Sequence, residues 1–165
     1  KKIIQPHHIL FELRIRIKNS LNKENSEEEY KDGMDMAVCL LNTTDKTLSY
    51  AGAYNPLYVI HNNELIEIKA DKMPVGLSEK MDIPFQLHKQ KLHAGDTFYM
   101  FSDGYADQFG GKNNKKFMSK TLKNTLLQIQ HESMNTQREI LDKTITDWRG
   151  NTEQVDDILI VGIKT

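Results

Sequence analysis

The amino-acid sequence predicts an α+β fold built on antiparallel strands, and three observations carry that reading. An amphipathic helical period comes first, a long run of short apolar strand segments joined by tight turns follows, and two helical periods with one last apolar strand close the chain. Consecutive strands joined by short turns pair antiparallel, and helices grouped apart from strands exclude regular βα alternation. A length of 165 residues suits a single domain.

Each element has its own signal. Pro6 suits a first helical turn, and Ile9, Leu10, Leu13, Ile17 and Leu21 keep a helical period with Arg14, Arg16 and Lys18 off the stripe, which predicts a helix from about Pro6 to Asn22. The segment 23–29 is polar and charged and reads as a solvated loop. Met34 to Leu41 is apolar and strand-compatible, Asn42 to Asp45 offers a turn, and Thr47 to Gly52 reads as the antiparallel partner. Leu57–Ile60 and Leu65–Ile68 flank Asn62-Asn63, a hairpin signal because Asn tolerates positive φ. Phe85 to His88 alternates, and Thr97 to Phe101 is a near-continuous apolar strand behind the turn Ala94-Gly95-Asp96. One later helix carries Met118, Leu122, Leu126 and Ile129; the other carries Ile140, Leu141, Ile145 and Trp148; the final strand runs from Ile158 to Ile163.

Composition narrows the function. Hydrophobic residues make up 38% and charged residues 27%, with 22 Lys and Arg against 23 Asp and Glu. That balance gives no global basic field, so a dedicated nucleic-acid binder is disfavoured. The single cysteine, Cys39, excludes an intrachain disulfide and a cysteine-based zinc site. No apolar run approaches the ~20 residues that span a bilayer, and nothing at the start reads as a signal peptide, so a cytoplasmic domain without membrane contact is expected. The absence of an initiator Met directly before a helix suggests a piece of a longer polypeptide.

Two acidic clusters stand at strand ends. Ser102-Asp103-Gly104-Tyr105-Ala106-Asp107 follows one apolar strand, and Gln154-Val155-Asp156-Asp157 precedes another. Converging carboxylates repel unless a cation neutralises them, and hard oxygen donors suit Mg²⁺ or Mn²⁺, which activate water. The structural alternatives are that Ser102 and Asp103 cap the helical turn that follows, and that Asp156-Asp157 is a solvated turn. His7, His8, His61, His88, His93 and His131 are scattered without strong zinc spacing. Cys39 reads as a small core residue, Ser102 lacks a nucleophile elbow, and Gly110-Gly111-Lys112 lacks the full phosphate-loop spacing and reads as a flexible loop.

An ordered series of motifs is more specific. Asp32-Gly33-Met34-Asp35-Met36-Ala37-Val38, Tyr50-Ala51-Gly52-Ala53-Tyr54-Asn55-Pro56-Leu57, Met73-Pro74-Val75-Gly76-Leu77, Gly95-Asp96-Thr97, Ser102-Asp103-Gly104 and Asp156-Asp157-Ile158 together resemble the SpoIIE-like branch of the metal-dependent, type 2C-like serine/threonine protein phosphatases. The resemblance implies an antiparallel β-sandwich flanked by helices. It implies Asp103 and Asp156 as ligands of a binuclear Mn²⁺ or Mg²⁺ centre, with Asp157 the adjacent candidate. Gly104, Asp107 and Asn55 become supporting positions. The reaction implied is attack of activated water on phosphoserine or phosphothreonine.

The resemblance also implies a phosphorylated, anti-anti-sigma-type regulatory protein as substrate and an upstream sensory or receiver domain on the same polypeptide. The family's upstream Asp-x-x-Gly-His-Gly motif, whose Asp bridges both metals, does not occur in these residues. The domain is therefore expected to lack its N-terminal strands, to bind metal weakly and to be nearly inactive alone. A sheet edge opened in this way favours pairing with a second copy of the chain. Some relatives use the position of Asp107 for a third metal, but its partner position holds Ala53 here. Two other readings stay open on the residues: a non-catalytic module with a phosphatase fold, and a receiver-like phosphoacceptor using Asp103.

Overall fold

Pro6 opens helix α1, Pro6–Leu21, where its missing N–H leaves no intrahelical bond unmade. The structure, a computed structural model, describes residues 5–21, 33–78, 80 and 82–165, so the polar loop expected at 23–29 lies outside the described residues. After α1 come β1 (Gly33–Met34), β2 (Met36–Asn42), β3 (Thr47–Ala53), β4 (Leu57–His61), β5 (Glu64–Ile68), β6 (Val75–Gly76), β7 (His88–Lys91) and β8 (Thr97–Phe101). Helix α2 (Gly104–Asp107), the short strands β9 (Phe109–Gly110) and β10 (Lys115–Lys116), helices α3 (Ser119–Ile129) and α4 (Met134–Arg149), and strand β11 (Ile160–Lys164) complete the chain. The registered strand pairs are antiparallel. A receiver needs a parallel sheet, so that alternative is excluded.

The chain divides into two compact units, the first formed by Lys1–Leu57 with Ile68–Leu92 and the second by Tyr58–Glu67 with His93–Thr165. In the first, the sheet runs β2-β3-β7 and a two-stranded ribbon joins β1 to β6. Its core gathers Leu10 of α1 with Ala51, Ala53, Met73, Val75 and Phe85. Two expectations fail here for one reason. Arg14, expected off the apolar stripe, is fully buried, and Phe85, expected in a strand, lies in irregular chain with the Arg14 guanidinium carbon 4.1 Å from its ring centroid. The ladder with β3 begins only at His88, which pairs with Tyr50. The Met34–Leu41 run also breaks at Asp35, and Met34 pairs with Val75 in β6.

The second unit holds a four-stranded sheet in the order β11-β8-β4-β5. Tyr58, Ile60, Tyr99 and Phe101 pack with Leu122 and Leu126 of α3 and Leu141 and Ile145 of α4. Each such side chain contributes about 1.5–3 kcal/mol by leaving water. Asn62 and Asn63 both take positive φ, as the hairpin signal requires. Ser133 caps α4, its Oγ accepting the Thr136 N–H at 3.1 Å. Gly110-Gly111 is not a free loop. Gly110 pairs with Lys115 in a small hairpin, and a Cβ at Gly110 would stand 2.0 Å from the Trp148 carbonyl oxygen.

One buried polar relay ties sheet to helices. The Tyr99 hydroxyl donates to Gln137 Oε1 at 2.6 Å, and Gln137 Nε2 donates to the carbonyls of Gln130 and Glu132 just past α3. Tyr99→Phe leaves the Gln137 acceptor without its donor and should cost about 1–2 kcal/mol in urea unfolding. Burial pushes the Tyr99 phenol up to about 12, the hydrogen bonds with Gln137 and Thr97 opposing it. A folded value above the unfolded ~10 gives stability that is complete below pH ~10 and lost as pH rises toward 12. The wild-type chain should therefore lose stability over that alkaline window more steeply than Tyr99→Phe, measured by unfolding at successive pH values.

Candidate active site

β8 and β11 run antiparallel with Phe101 opposite Ile160, so the residues after β8 face the residues before β11. Ser102 locks the two segments together. Its N–H donates to the Leu159 carbonyl at 3.0 Å, its Oγ donates to the Asp157 carbonyl at 2.7 Å, and the same Oγ accepts the Leu159 N–H at 3.0 Å. Gly104 is buried against the same backbone: a Cβ there would lie 2.4 Å from the Asp157 oxygen and 3.0 Å from its carbonyl carbon. The Ser-Asp-Gly sequence thus has a physical reading, a serine to bridge and a glycine to allow the approach, with Asp103 between them.

Asp103 occupies the N-cap position of α2, yet its carboxylate makes no capping hydrogen bond. The helix-cap alternative therefore does not account for it. Asp103, Asp156 and Asp157 are all exposed, and the backbone brings the three to the same end of the β8–β11 pair. The chain bends at Asp156 rather than running extended, and Asp156 Oδ1 accepts the N–H of Asp157 at 2.7 Å. With that bend, the facing of the two neighbouring side chains does not follow the strict alternation of an extended strand.

A residue that the sequence reading missed holds this approach in place. Gln108, fully buried, donates from Nε2 to the Glu153 carbonyl at 2.9 Å and accepts the Val155 N–H on Oε1 at 3.4 Å. Its own carbonyl accepts the Trp148 indole N–H at 3.1 Å. A glutamine just after a short helix carries no local signal, because its partners lie some 45 residues away.

The supporting positions fall in two places. Asp107 pairs with Lys116, Nζ to Oδ2 at 2.9 Å, at the surface of the second unit. Asn55 belongs to the first unit, where its carbonyl accepts the Tyr50 hydroxyl at 2.6 Å. Among the described residues, one group of three His, Cys, Asp or Glu side chains gathers its ligand atoms within 4.8 Å. It comprises His61, His93 and Asp96, at the end of β8 away from Asp103. The two histidines are far apart in sequence and meet only because β4 pairs with β8, Ile60 opposite Thr97.

The family model for Stage II sporulation protein E (SpoIIE) matches residues 2–165. The chain is similar to the SiaA-PP2C domain of Pseudomonas aeruginosa, with a TM-score of 0.84 and 25% identity over 98% of this chain and 60% of that one. It is similar in fold to the phosphatase domain of the cell fate determinant SpoIIE from Bacillus subtilis, with a TM-score of 0.61 and 14% identity over 99% and 75% of the two chains. It also resembles in fold PppA, a key regulatory component of T6SS in Pseudomonas aeruginosa, with a TM-score of 0.63 and 15% identity over 93% and 65%. The chain thus spans less than two thirds of the SiaA-PP2C domain chain. No curated protein matches the sequence. The antiparallel sheets and grouped helices are those of the PP2C-type phosphatase fold. Among the described residues no helix is long and apolar enough to cross a membrane.

Proposed function

The chain belongs to the SpoIIE family, and from that premise we propose that it supplies the Asp103 and Asp156 carboxylates to a metal-dependent hydrolase acting on phosphoserine or phosphothreonine in a regulatory protein. The observation that carries this reading is the Ser102 bridge. It ties the segment holding Asp103 to the segment holding Asp156 and Asp157, while Asp103 makes no cap bond of its own. The donor set fits the metal: exposed carboxylates at adjacent strand ends, all hard oxygen donors, suit Mg²⁺ or Mn²⁺. Bound there, such an ion would neutralise the repelling carboxylates and activate water for attack on the phosphate ester. The chain's own contribution is position. Ser102 fixes the register of the two segments, Gly104 permits their contact, and Gln108 holds the 153–155 approach.

The 165 residues supply two of the three carboxylates that the family resemblance implies, because no Gly-His-Gly motif occurs among them. We therefore propose that they bind metal weakly and turn over slowly without a polypeptide segment that brings the bridging Asp. In the same reading the substrate is an anti-anti-sigma-type phosphoprotein, a sensory or receiver module precedes the domain, the compartment is the cytoplasm, and strand β11, at the end of its sheet order, pairs with further chain or a second copy. The test is Mn²⁺-dependent phosphate release from a phosphoserine peptide. A longer polypeptide carrying the Asp-x-x-Gly-His-Gly motif should exceed the 165-residue chain by roughly 100-fold or more, since the two-metal clamp contributes several kcal/mol. Equal turnover by both would overturn the proposal.

A further inference from the structure

At the start of β8, two imidazoles converge on one carboxylate. Asp96 is 5% exposed and immediately precedes β8; His61 ends β4; His93 opens the turn that leads to Asp96. His61 Nδ1 lies 2.8 Å from Asp96 Oδ1, His93 Nδ1 lies 3.6 Å from Asp96 Oδ2, and the two rings stand 4.6 Å apart. The turn is rigidly tied: the His93 N–H donates to Asp96 Oδ2 at 2.8 Å, the Asp96 N–H to the His93 carbonyl at 3.1 Å, and the Thr165 hydroxyl to that carbonyl at 2.7 Å.

Hydrogen bonding accounts for His61 but not for His93. His61 has a partner at each ring nitrogen, Asp96 Oδ1 at 2.8 Å from Nδ1 and Asn62 Nδ2 at 3.0 Å from Nε2. His93, its side chain 61% exposed, holds its Nδ1 at 3.6 Å from Asp96, too far for a hydrogen bond, although solvent offers it other positions. Ligands at about 2.0–2.1 Å from one tetrahedral ion stand about 3.3 Å from each other. Here the three ligand atoms lie within 4.8 Å of one another, with His61 Nδ1 2.8 Å from one Asp96 oxygen and His93 Nδ1 3.6 Å from the other, so a small rotation of the exposed His93 ring would complete the set.

We propose that His61, His93 and Asp96 bind one divalent transition-metal ion, zinc by preference, through the two Nδ1 atoms and the Asp96 carboxylate, with water on the open side. Imidazole nitrogens favour zinc over the Mg²⁺ and Mn²⁺ that suit carboxylates alone. Turning the Asn62 amide over would let its oxygen accept the Nε2–H of His61 once Nδ1 holds the metal, the usual outer support of a metal-bound histidine. The pocket beside Asp96 is lined by Asn62, Gly95, Gln130, His131 and Lys164, and the Lys164 ammonium is turned to the Gln130 carbonyl at 3.5 Å. The five residues of β8, at about 3.3 Å each, keep this ion well over 15 Å from Asp103. It would clasp the end of β4 to the start of β8 and take no part in phosphate chemistry.

The experiment uses the untagged 165-residue chain carrying Asp103→Asn and Asp156→Asn, so that the other candidate site is silent. Zn²⁺ is titrated by calorimetry, and Co²⁺ by the visible absorption of a tetrahedral ion. One equivalent of Zn²⁺ is expected, undisturbed by millimolar Mg²⁺, with affinity reduced at least tenfold by His93→Gln and by His61→Gln and unchanged by His131→Gln. His93 is exposed enough for its substitution to leave the fold intact, and an unaltered far-ultraviolet circular dichroism spectrum checks that. No stoichiometric Zn²⁺ binding, or binding that survives His93→Gln in a folded chain, would overturn the proposal.

Discussion

Arg14→Met is expected to lower the unfolding free energy of the chain by about 3 kcal/mol in equilibrium urea denaturation. Arg14 sits mid-helix in α1 and is fully buried. One terminal nitrogen of its guanidinium donates to the carbonyls of Lys80 at 3.1 Å and Ile83 at 2.8 Å, and the other donates to Pro74 at 3.0 Å. Phe85 stacks beneath it at 4.1 Å. Burial pulls the guanidinium below its ordinary value, with the Asp71 charge opposing that pull, so the group is held ionised by its partners rather than by water. Methionine keeps much of the volume but leaves the Pro74 and Ile83 carbonyls without their Arg14 donor, each costing about 1–3 kcal/mol, while the Lys80 carbonyl keeps the Ile83 N–H at 3.2 Å; relief of the charge-burial penalty offsets part of the sum. Arg14→Lys should fall between the two, because one ammonium cannot reach carbonyls arranged for a planar fork. A methionine variant within 0.5 kcal/mol of wild type, about the spread of ordinary surface substitutions, would show that the 74–85 segment does not depend on this side chain.

The same arginine marks where sequence reasoning stops. Apolar period located α1 well, but periodicity has no term for a cation that replaces an apolar residue by bonding main-chain carbonyls. It therefore leaves Arg14 off the apolar stripe, and the alternation from Phe85 to His88 reads as a strand. Local chemistry was more legible. Asn62-Asn63 took the positive φ that its hairpin demands, and Thr97–Phe101 formed the strand its apolar run predicts. The Tyr50-to-Asn55 motif also has a reason in the fold: Gly52 leaves room for the Tyr50 hydroxyl to reach the Asn55 carbonyl, where a Cβ would lie 2.0 Å from that hydroxyl. Ser102, Asp103 and Gly104 were readable because motif and strand end coincide. Gln108 and the His61–His93–Asp96 group were not, since β4–β8 pairing and long-range contacts build them from residues without local spacing.

Asp103→Asn and Asp156→Asn, each made in a polypeptide that also carries the upstream motif, are expected to lower Mn²⁺-dependent kcat/KM on phosphoserine peptide on the order of 10²–10³-fold, or about 3–4 kcal/mol of transition-state stabilisation. Both side chains are exposed, so neither change should move stability by more than about 0.5 kcal/mol, and lost activity cannot be assigned to unfolding. Asp157→Asn should cost less than about tenfold, the lower end expected for groups that support a metal site without holding the ion. What ties residue 157 to the site is main chain: its carbonyl accepts the Ser102 hydroxyl and abuts Gly104, and its N–H binds Asp156 Oδ1. Asparagine keeps all three contacts. Asp156 stands at the bend, one residue further from the β11 ladder, with its carboxylate exposed. The Mn²⁺ concentration for half-maximal rate separates the roles, rising at least tenfold for Asp103→Asn and Asp156→Asn and little for Asp157→Asn. Equal losses at Asp156 and Asp157 would mean that both carboxylates serve the metal, and a loss at Asp157 alone would move the ligand by one residue. Full activity in both Asp103→Asn and Asp156→Asn would remove the β8–β11 end from the chemistry altogether.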